Sequence, residues 1–343
     1  MIKSVTRCFF TGILVTAAVN LGSACAQEFY KDKTITFIVG YSPGGIYDQY
    51  TRLIARHISK HIPGQPNAIV ENMTGAGGII AANHLYNRAK PDGLTVAAWA
   101  SPLILQQIMG NEATKFDARK VGWLGIPGRY DTACHFNRES GIKTVDDWFA
   151  SKRPVKISSI GPGTGLSDVP KLLKVALGLS LEVVEGYKGG AEARVAVENG
   201  EVDGLCASWQ ATKITWRSQM ESGKIHVVLQ ATLKPHADLK DVPLANNYAK
   251  TDEARVLLKV ADNVHVYQFP YSVAPGTPRE RLQILQQAFI KTLRDADLVA
   301  EANKAQLEIN PIDGPTTAKT FAGLYELSPA LISKLKELLV PKR

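Results

Sequence analysis

The sequence predicts an α/β protein, and three observations carry that prediction. Short apolar or β-branched runs of strand length alternate with stretches of helical periodicity along most of the chain. Glycine-rich turns recur where a strand run gives way to a helical one. The chain has 343 residues, which is too long for one ordinary core and predicts two domains. Because strands separated by helices are usually joined by crossovers, the alternation indicates parallel sheets.

The first strand–turn–helix unit lies at residues 34–61. The run TITFIV over 34–39 predicts a strand, and Leu53, Ile54 and Ile58 give residues 50–61 one apolar helical face. Between strand and helix lies a turn that combines proline, glycine and an acidic residue. Its members are Pro43, Gly44, Gly45, Ile46, Tyr47 and Asp48.

The same order of elements returns further along the chain. Residues 68–71 predict a strand and residues 79–87 a helix. The turn between them is again rich in glycine, with Asn72, Met73, Thr74, Gly75, Ala76, Gly77 and Gly78 as its members. We therefore expect the two turns to lie at the carboxyl ends of neighbouring parallel strands.

Turns of this kind are suited to bind an anion. Glycine lets the backbone approach a ligand closely, and the first N–H groups of a helix have no partner within the helix. The helix dipole adds about half a positive charge at the same place. Two such turns side by side would form a cradle for an anion.

The remaining elements continue the alternation. Further strands are predicted at 94–99, 121–126, 132–136, 155–160, 181–185, 203–207, 225–229 and 271–274. Further helices are predicted at 101–109, 144–151, 165–177, 190–199, 209–221, 252–260, 279–294 and 316–339.

Three more of these helices begin at turns that leave free amides. They follow Ser101-Pro102, residues 161–165 (GPGTG) and residues 187–190 (YKGG). Any one of the glycine turns, taken alone, is most simply a tight βα connection. Their recurrence at five successive strand ends favours a shared site, and a ligand with one or more carboxylates fits it. None of them matches the spacing of a nucleotide-binding loop.

Asp48 admits two interpretations. A carboxylate in the first turn of a helix complements the dipole and can pair with Arg52 four residues later. The same carboxylate would also face the crevice lined by the amides of the turn. There it would hold ordered water, or an amine or hydroxyl of the ligand, because it would repel a ligand carboxylate.

Other residue patterns give little indication of metal binding, ligand stacking or catalysis. His57 and His61 have the spacing of half a zinc site, but no third ligand is apparent, and surface histidines explain them better. Trp209 and Trp216 lie on one helical face, which indicates core packing more than an aromatic wall for a ligand. No nucleophile elbow or activated cysteine is present. The sequence therefore predicts no catalytic residue, no metal and no cofactor.

Composition and charge indicate a folded protein and narrow the classes of molecule that it is expected to bind. The chain is 45% hydrophobic and 21% charged, as expected of a folded globular protein. Its formal charge of +8 comes from 40 basic and 32 acidic residues. The basic residues form no run of five, so nucleic acid is not an expected partner.

The N-terminus has the pattern of an export signal. Lys3 and Arg7 precede an apolar stretch over residues 8–19, and Ala24-Cys25-Ala26 predicts cleavage after Ala26. The alternative is a lipoprotein acylated at Cys25, although the aliphatic residue that usually stands three places upstream is missing.

After cleavage two cysteines remain, Cys134 and Cys206. An exported protein lies in a compartment that permits disulfides. The spacing of the two residues leaves open whether they form a bridge or two buried free thiols.

With its turns in place, the chain resembles the solute-binding receptors of tripartite tricarboxylate transporters, the Bug family. The resemblance covers essentially the whole mature chain in order, and the block over residues 72–78 is highly specific. The segments that carry it are Ile38-Val39, residues 43–48 with Arg52, residues 70–78, residues 91–93 (PDG), Ser159 with residues 161–165, residues 187–190, residues 200–203 (GEVD) and residues 274–278 (APGTP).

The resemblance implies a type II periplasmic binding fold, in which two α/β lobes clamp a ligand in a cleft between them and close like a Venus flytrap. Lobe 1 is expected at residues 27–128 plus 232–343, and lobe 2 at residues 129–231. The resemblance further implies a monomeric periplasmic receptor that captures a small di- or tricarboxylate or aromatic acid. Its partners would be the membrane subunits of a tripartite tricarboxylate-type transporter. A periplasmic sensor for a two-component system is the alternative, and an exported α/β enzyme fits less well.

The predicted ligand contacts lie in these turns and in one further segment. Tyr47 stands where the family has a small residue, and the segment of Cys206, Ser208 and Trp209 varies with ligand in the family, so these departures bear on which ligand binds. The full predicted set is Pro43, Gly44, Gly45, Tyr47, Asp48, Asn72, Gly75, Ala76, Gly77, Gly78, Ser101, Ser159, Gly163, Thr164, Gly165, Tyr187, Gly189, Gly190, Ser208 and Trp209.

Overall fold

The computed structural model describes residues 29–41 and 43–340. The expected signal segment, residues 1–26, lies outside the described residues. The described chain divides into two compact units. Unit 1 comprises residues 29–99, Lys115–Pro127 and Tyr271–Pro315, and unit 2 comprises Ala100–Thr114, Gly128–Pro270 and residues 316–340.

The strands within the described residues run in chain order from the first unit to the second and back. They are β1 (Thr34–Val39), β2 (Asn67–Asn72), β3 (Thr95–Ala98), β4 (Gly122–Ile126), β5 (Thr132–Asn137), β6 (Val155–Ser158), β7 (Leu181–Val184), β8 (Gly204–Ser208), β9 (Ile225–Gln230), β10 (Tyr271–Val273) and β11 (Ile312–Asp313).

Helices separate most of the strands. They are α1 (Ile46–Ile58), α2 (Ile79–Asn87), α3 (Pro102–Ile108), α4 (Val145–Phe149), α5 (Gly165–Leu177), α6 (Gly190–Glu198), α7 (Trp209–Thr215), α8 (Arg217–Glu221), α9 (Asp252–His265), α10 (Arg279–Leu293), α11 (Ala296–Lys304), α12 (Gly314–Ala322) and α13 (Pro329–Leu339). Within the described part of the chain, every helix is too short or too polar to traverse a lipid bilayer.

The sheet of unit 1 has the strand order β11-β4-β10-β3-β1-β2. Strand β1 is parallel to both of its neighbours, and Val39 is in register with Asn72 on one side and Ala98 on the other. The three strands therefore end at the same edge of the sheet. Ile35 and Phe37 of β1 are buried, and α1 covers the sheet with the apolar face predicted from Leu53, Ile54 and Ile58.

The sheet of unit 2 has the strand order β7-β6-β8-β5-β9. Strand β6 is parallel to β7 and to β8, so the connections after β6 and β7 leave from the same edge. Strand β5 is antiparallel to β8 and β9. A disulfide joins Cys134 of β5 to Cys206 of β8, which face each other across the strand pair. This resolves the question that the spacing of the two cysteines left open.

The expectation of parallel sheets is correct for part of each sheet and wrong for the rest. Strand β10 is antiparallel to both β3 and β4, and β11 is antiparallel to β4. The crossover rule constrains consecutive strands joined by a helix. Strand β10 reaches its neighbours from far along the chain, so local alternation says nothing about its direction.

The predicted helices differ from the structure mainly at breaks. The predicted helix over 209–221 is two helices that meet at Trp216. The predicted helix over 316–339 is interrupted, and α13 begins anew at Ser328, whose hydroxyl accepts the Leu331 N–H, with Pro329 in its first turn. Helix α11 and strand β11 were not predicted.

The two units differ in extent from the lobes expected from the sequence. Residues 100–114, 232–270 and 316–340 belong to unit 2. The reason is packing, because α9 and α13 both lie against α5. The predicted lobe boundaries stay a prediction about which segments act together on a ligand.

Candidate functional site

The five helix starts predicted to offer amides share one feature. Helices α1, α2, α3, α5 and α6 have Gly45, Gly78, Ser101, Thr164 and Gly189 at the N-cap, and in none of them does the N-cap side chain accept a hydrogen bond from the helix. The first-turn amides of α1, α2, α5 and α6 are therefore not satisfied by a capping side chain. An acceptor from a ligand or from water can satisfy them. Helix α3 differs from the expectation, because Pro102 has no N–H and the Leu103 and Ile104 N–H groups donate to the Ala100 and Ser101 carbonyls at 3.1 and 2.9 Å.

Most of the other described helices are capped by a side chain. The caps are Thr144 on α4, Ser208 on α7, Thr251 on α9, Asp295 on α11 and Ser328 on α13. Helices α8 and α10 also lack a capping side chain, but α8 follows α7 at Trp216 and α10 follows Pro278, so neither begins at a glycine turn. The uncapped glycine turns thus coincide with the predicted site.

In unit 1 the carboxylate of Asp48 organises the first glycine turn. Its Oδ2 accepts the Gly44 N–H at 2.8 Å and the Arg52 Nε–H at 2.9 Å, and its Oδ1 accepts from Asn72 Nδ2 at 2.9 Å. Asp48 is only 3% exposed. Both interpretations of Asp48 must therefore accommodate a carboxylate whose two oxygens already have donors.

These contacts also tie the first turn to the second. Asn72 Nδ2 donates a further hydrogen bond to the Tyr41 carbonyl at 2.9 Å, and Arg52 Nη2 donates to Asn72 Oδ1 at 3.0 Å. Tyr41 Oη donates to the Gly77 carbonyl at 3.0 Å. The turns after β1 and β2 are consequently one hydrogen-bonded assembly, which we call the unit 1 turn pair (residues 40, 41, 43–48 and 72–78).

The charge state of Asp48 follows from its partners. Burial alone would raise the pKa of Asp48, but hydrogen bonds from Arg52, Gly44 and Asn72 and the charge of Arg52 outweigh it, so the pKa lies below its ordinary value. Asp48 is an ionised carboxylate with a permanent cation beside it.

The second turn of the pair has an unusual backbone. Residues 75–78 all have positive φ, with values of 129°, 47°, 63° and 95° in order. Ala76 is the one non-glycine among them and is strained there. Gly40 lies so close to this turn that a Cβ on it would meet the Gly78 Cα at 3.1 Å. Backbone with positive φ is a feature of anion-binding loops. Within this turn the Gly78 N–H donates to the Gly75 carbonyl at 3.0 Å.

Two tyrosines flank the first turn. The rings of Tyr41 and Tyr47 stack with centroids 4.1 Å apart and an interplanar angle of 25°. Both side chains are half-buried. Tyr47, the residue that departs from the family pattern, is thus part of an aromatic pair beside the glycine turn.

In unit 2 the turn after β6 repeats the use of an aspartate. The Gly163 N–H donates to Asp168 Oδ1 at 3.0 Å, and the Thr164 hydroxyl donates to the Gly161 carbonyl at 2.6 Å. Gly163 has φ of 78°, and a Cβ on it would lie 2.5 Å from Gln106 Nε2. The turn therefore needs glycine for both its conformation and its neighbour.

Asp168 lies in a different environment from Asp48. It is 3% exposed, and its Oδ2 is 3.9 Å from His265 Nε2. Burial lowers the pKa of His265 to about 4, so the ring is neutral. Burial raises the pKa of Asp168 to about 7, and the Gly163 hydrogen bond and the Lys171 charge oppose this only in part. No permanent cation contacts this carboxylate among the described residues.

The turn after β7 lies beside the turn after β6. The Tyr187 N–H donates to the Ser159 carbonyl at 3.3 Å, and the Gly186 N–H donates to the Ile160 carbonyl at 3.2 Å. Ser159 is fully buried, and within the described chain its hydroxyl has no hydrogen-bond partner. The Tyr187 hydroxyl donates to Glu201 at 2.6 Å.

Several predicted site side chains have internal partners. The Ser101 hydroxyl donates to the Val264 carbonyl, and the Ser208 hydroxyl accepts the Ala211 N–H as a helix cap. Trp209 is 8% exposed, and its Nε1 donates to Asp238 at 3.0 Å. Such side chains position backbone more readily than they contact a ligand.

The structure thus divides the predicted set between the units. Unit 1 contains the residues of its turn pair, which are Pro43, Gly44, Gly45, Tyr47, Asp48, Asn72, Gly75, Ala76, Gly77 and Gly78. Unit 2 contains Ser101, Ser159, Gly163, Thr164, Gly165, Tyr187, Gly189, Gly190, Ser208 and Trp209.

Sequence reasoning missed three residues that shape these turns: Tyr41, Asp168 and His265. The pairing of Arg52 with Asp48 was expected from their spacing, because residues four apart on a helix are neighbours, and the structure shows it. Asp168 and His265 offered no such signal, because their proximity arises only when α5 packs on α9.

The remaining sequence candidates have structural roles. His57 pairs with Glu301 at 2.7 Å and His61 with Asp295 at 2.9 Å. No group of three or more metal-ligating residues occurs in the described ranges. Trp216 is fully buried in an apolar cluster of unit 2, as core packing predicts.

Comparison with known proteins gives a consistent result. The profile described as "Tripartite tricarboxylate transporter family receptor" matches residues 50–336. A Cupriavidus necator protein, described as a UPF0065 protein in the gbd 5' region, is 28% identical over 93% of this chain and 94% of its own length.

Solved structures share the fold. A TctC solute-binding protein from Polaromonas is 20% identical, covers 90% of this chain and 99% of its own, and superposes with a TM-score of 0.72. MatC from Rhodopseudomonas palustris, solved with bound malate, is 18% identical with 90% and 99% coverage and a TM-score of 0.61. These likenesses show the expected fold class, that of periplasmic binding proteins with two α/β lobes.

Proposed function

Because the chain belongs to the tripartite tricarboxylate transporter receptor family, we propose that it captures a small carboxylate in the periplasm and delivers it to the membrane subunits of such a transporter. The family is one of solute-binding receptors and not of enzymes. Export with cleavage after Ala26, and action as a monomer, are parts of the proposal.

The observation that carries the proposal is the set of uncapped helix starts at glycine turns. Helices α1, α2, α5 and α6 begin without a capping side chain at glycine turns singled out from the sequence. Unsatisfied amides at helix starts favour a ligand that brings negative charge and several acceptor oxygens. A carboxylate meets both conditions. We propose that the predicted residues of both units contact it, mainly through main-chain N–H groups.

The relatives support a carboxylate over other anions. MatC was solved with malate, a small dicarboxylate. An oxyanion of similar size suits the unit 1 turn pair, where residues 75–78 hold their amides in a left-handed backbone. Helix α3 is only seven residues long, so its start adds less to the field than the starts of α1 and α5.

Within this proposal Asp48 is a positioning residue. Its oxygens are engaged by Gly44, Arg52 and Asn72, so the carboxylate has little capacity left for a ligand. Its contribution is to hold the turn open in a conformation that presents the amides of α1. Arg52 keeps the carboxylate charged without adding a net negative charge that would repel the ligand.

A ligand screen tests the function. Isothermal titration calorimetry against malate, other di- and tricarboxylates and aromatic acids is expected to find at least one with a Kd of about 1 μM or below, equivalent to about 8 kcal/mol. The diamide of the best acid keeps its shape without its charge, and we expect it to bind at least tenfold more weakly. Equal binding of acid and amide, or no binding by any acid, would contradict the proposal.

A further inference from the structure

Unit 2 contains a cavity of about 520 Å³ that adjoins the turn after β6. Its walls are the apolar residues Pro102, Leu105, Met109 and Leu339, contributed by α3, the turn that follows it, and α13. Asp168 and Gly163 of the turn after β6 also line it. Gln106, Asn111, Glu112 and Lys336 complete the polar part of the lining. Pockets that hold small molecules have roughly this size and combine apolar walls with polar groups.

The carboxylate of Asp168 is the buried charged group in this lining. Gly163 N–H donates to its Oδ1 at 3.0 Å. Its Oδ2 has only the neutral ring of His265 near it, at 3.9 Å. Within the described ranges, no lysine or arginine nitrogen lies within 4.0 Å of this carboxylate, and both ring nitrogens of His265 lack hydrogen-bond partners.

Comparison with the unit 1 turn pair shows that Asp168 lacks a cationic partner among the described residues. Asp48 makes the same hydrogen bond to a glycine of its own turn but has the Arg52 guanidinium at 2.9 Å. An ionised carboxylate is costly to bury unless a cation accompanies it. Among the described residues no lysine or arginine contacts Asp168, so a proton, or a cationic ligand in the adjoining cavity, would supply the missing partner.

We propose that this cavity is a binding site for a small organic cation, an ammonium group on an apolar body, with Asp168 as its counter-ion. The apolar walls take the hydrocarbon part, and the carboxylate receives the ammonium group. Bound there, the ligand would contact the turn at Gly163, so occupancy would also stabilise one of the glycine turns.

Other charges around the carboxylate leave this assignment in place. Lys171 is paired with Glu185 at 2.6 Å, so the fields of these two side chains largely cancel at Asp168. Lys336 and Glu112 line the cavity from exposed positions, where water screens them. The buried carboxylate is the group whose charge an occupant of the cavity would feel most.

Three probes matched in size separate charge from hydrophobicity. Hexylamine, 1-hexanol and hexanoate each have six carbon atoms in an unbranched chain and differ in charge, and their binding to the full chain can be measured by calorimetry at about pH 7. We expect hexylamine to bind at least tenfold more tightly than 1-hexanol, and hexanoate to bind at this cavity no more tightly than the alcohol. Equal affinities for amine and alcohol would overturn the proposal.

Variants identify the carboxylate responsible. Asp168→Asn keeps the shape and an acceptor for Gly163, and we expect it to abolish the preference for the amine. Glu112→Gln removes the exposed carboxylate at the same cavity, and we expect less than a threefold effect. Ala113→Trp, at an exposed lining position, is expected to weaken amine and alcohol alike. Retention of the amine preference in Asp168→Asn, or its loss in Glu112→Gln, would overturn the assignment.

The proton released on binding provides an independent measurement. The part of Asp168 that is protonated near neutral pH must lose its proton when the ammonium group arrives. The observed binding enthalpy should then differ between phosphate and Tris buffers for the wild type and not for Asp168→Asn. Affinity for hexylamine should rise from about pH 6 to about pH 8, whereas a flat profile would contradict the role of Asp168.

Discussion

The two glycine turns at the starts of α1 and α5 contain the same hydrogen bond, but the aspartates that accept it have pKa values shifted in opposite directions. In each, an aspartate in the first helical turn accepts the N–H of a glycine in the preceding turn, Gly44 for Asp48 and Gly163 for Asp168. Four residues after Asp48 the helix has Arg52, and four residues after Asp168 it has Leu172, which is fully buried.

We call the hydrogen bond between each aspartate and its turn glycine a brace. The difference between the two turns shows that this hydrogen bond and the charge of its aspartate have separate causes. The hydrogen bond depends on the position of the aspartate in the turn, whereas the charge depends on what the helix packs against. Asp48 remains ionised because Arg52 reaches it from a partly exposed position. Asp168 packs under α9, and its charge therefore responds to pH near neutrality.

The largest expected effect comes from removing the brace in unit 1. Asp48→Ala leaves Gly44, Arg52 and Asn72 without their acceptor. We expect the free energy of unfolding to fall by about 3 kcal/mol. Arg52 contributes only a small part of this because its side chain is 43% exposed and water screens its charge. Affinity for the carboxylate ligand should fall at least tenfold, or about 1.4 kcal/mol. Urea denaturation and calorimetry measure the two quantities. An unchanged affinity would remove Asp48 from the positioning of the ligand turn.

The pH dependence of stability tests the brace in unit 2. The pKa of Asp168 in the folded protein, about 7, exceeds its ordinary value of 3.8. The stability that this group contributes is therefore complete at low pH and is lost as pH rises through about 7. Relative to Asp168→Asn, the wild type should lose about 2 kcal/mol between about pH 5 and pH 8.

Thermal melts of both proteins across that range make the measurement, and Asp48→Asn is the matched control. The pKa of Asp48 is lowered, so its stabilisation is present above 3.8 and is lost only as pH falls below that value. The difference between wild type and Asp48→Asn should hence be constant from about pH 5 to pH 8. A wild type that tracks Asp168→Asn at every pH would refute the difference between the two braces.

Arg52→Leu should raise the pKa of Asp48, so that Asp48 resembles Asp168. Without the guanidinium, burial raises the pKa of Asp48 while only Gly44 and Asn72 oppose it. We expect a loss of about 1 kcal/mol at neutral pH, a modest value because Arg52 is partly exposed. The loss should shrink in acid as Asp48 becomes protonated. A pH-independent loss would mean that Arg52 acts through packing and not through charge.

The smallest effects should come from the glycines of the two braces. Gly44 and Gly163 have nearly the same φ, 80° and 78°. A Cβ on Gly44 meets nothing within 4 Å, whereas one on Gly163 meets Gln106 Nε2 at 2.5 Å. Gly44→Ala should cost about 1 kcal/mol from backbone strain alone, and Gly163→Ala slightly more.

The double variant Gln106→Ala, Gly163→Ala isolates the steric part of that cost. Once the colliding amide is absent, the glycine substitution in unit 2 should be as costly as the one in unit 1. Chemical denaturation of the four proteins in the cycle provides the comparison. A persistent excess would show that the turn after β6 is strained by something other than Gln106.

Much of the fold could be predicted from local patterns. Strand β1 and helix α2 have the predicted bounds, because β-branched runs and glycine turns act within a few residues. The five glycine turns were located in the same way, and the structure shows their helix starts to be uncapped. Strand direction at β10, the break at Trp216 and helix α11 were missed, since each depends on packing against distant segments.

By itself, the sequence determined where glycine stands at a helix start and leaves its amides without a capping side chain, as at Gly45, Gly78 and Gly189, because a glycine N-cap is a local property. Tertiary structure decided how deeply the carboxylates beside those amides are buried and which distant groups reach them, whereas the cation beside Asp48 comes from Arg52 on the same helix. Asn72 reaches Asp48 from a neighbouring strand, and His265 reaches Asp168 from a helix far along the chain. The physical reason is that charge in a protein depends on burial and on the nearest partner, and both are properties of the folded chain.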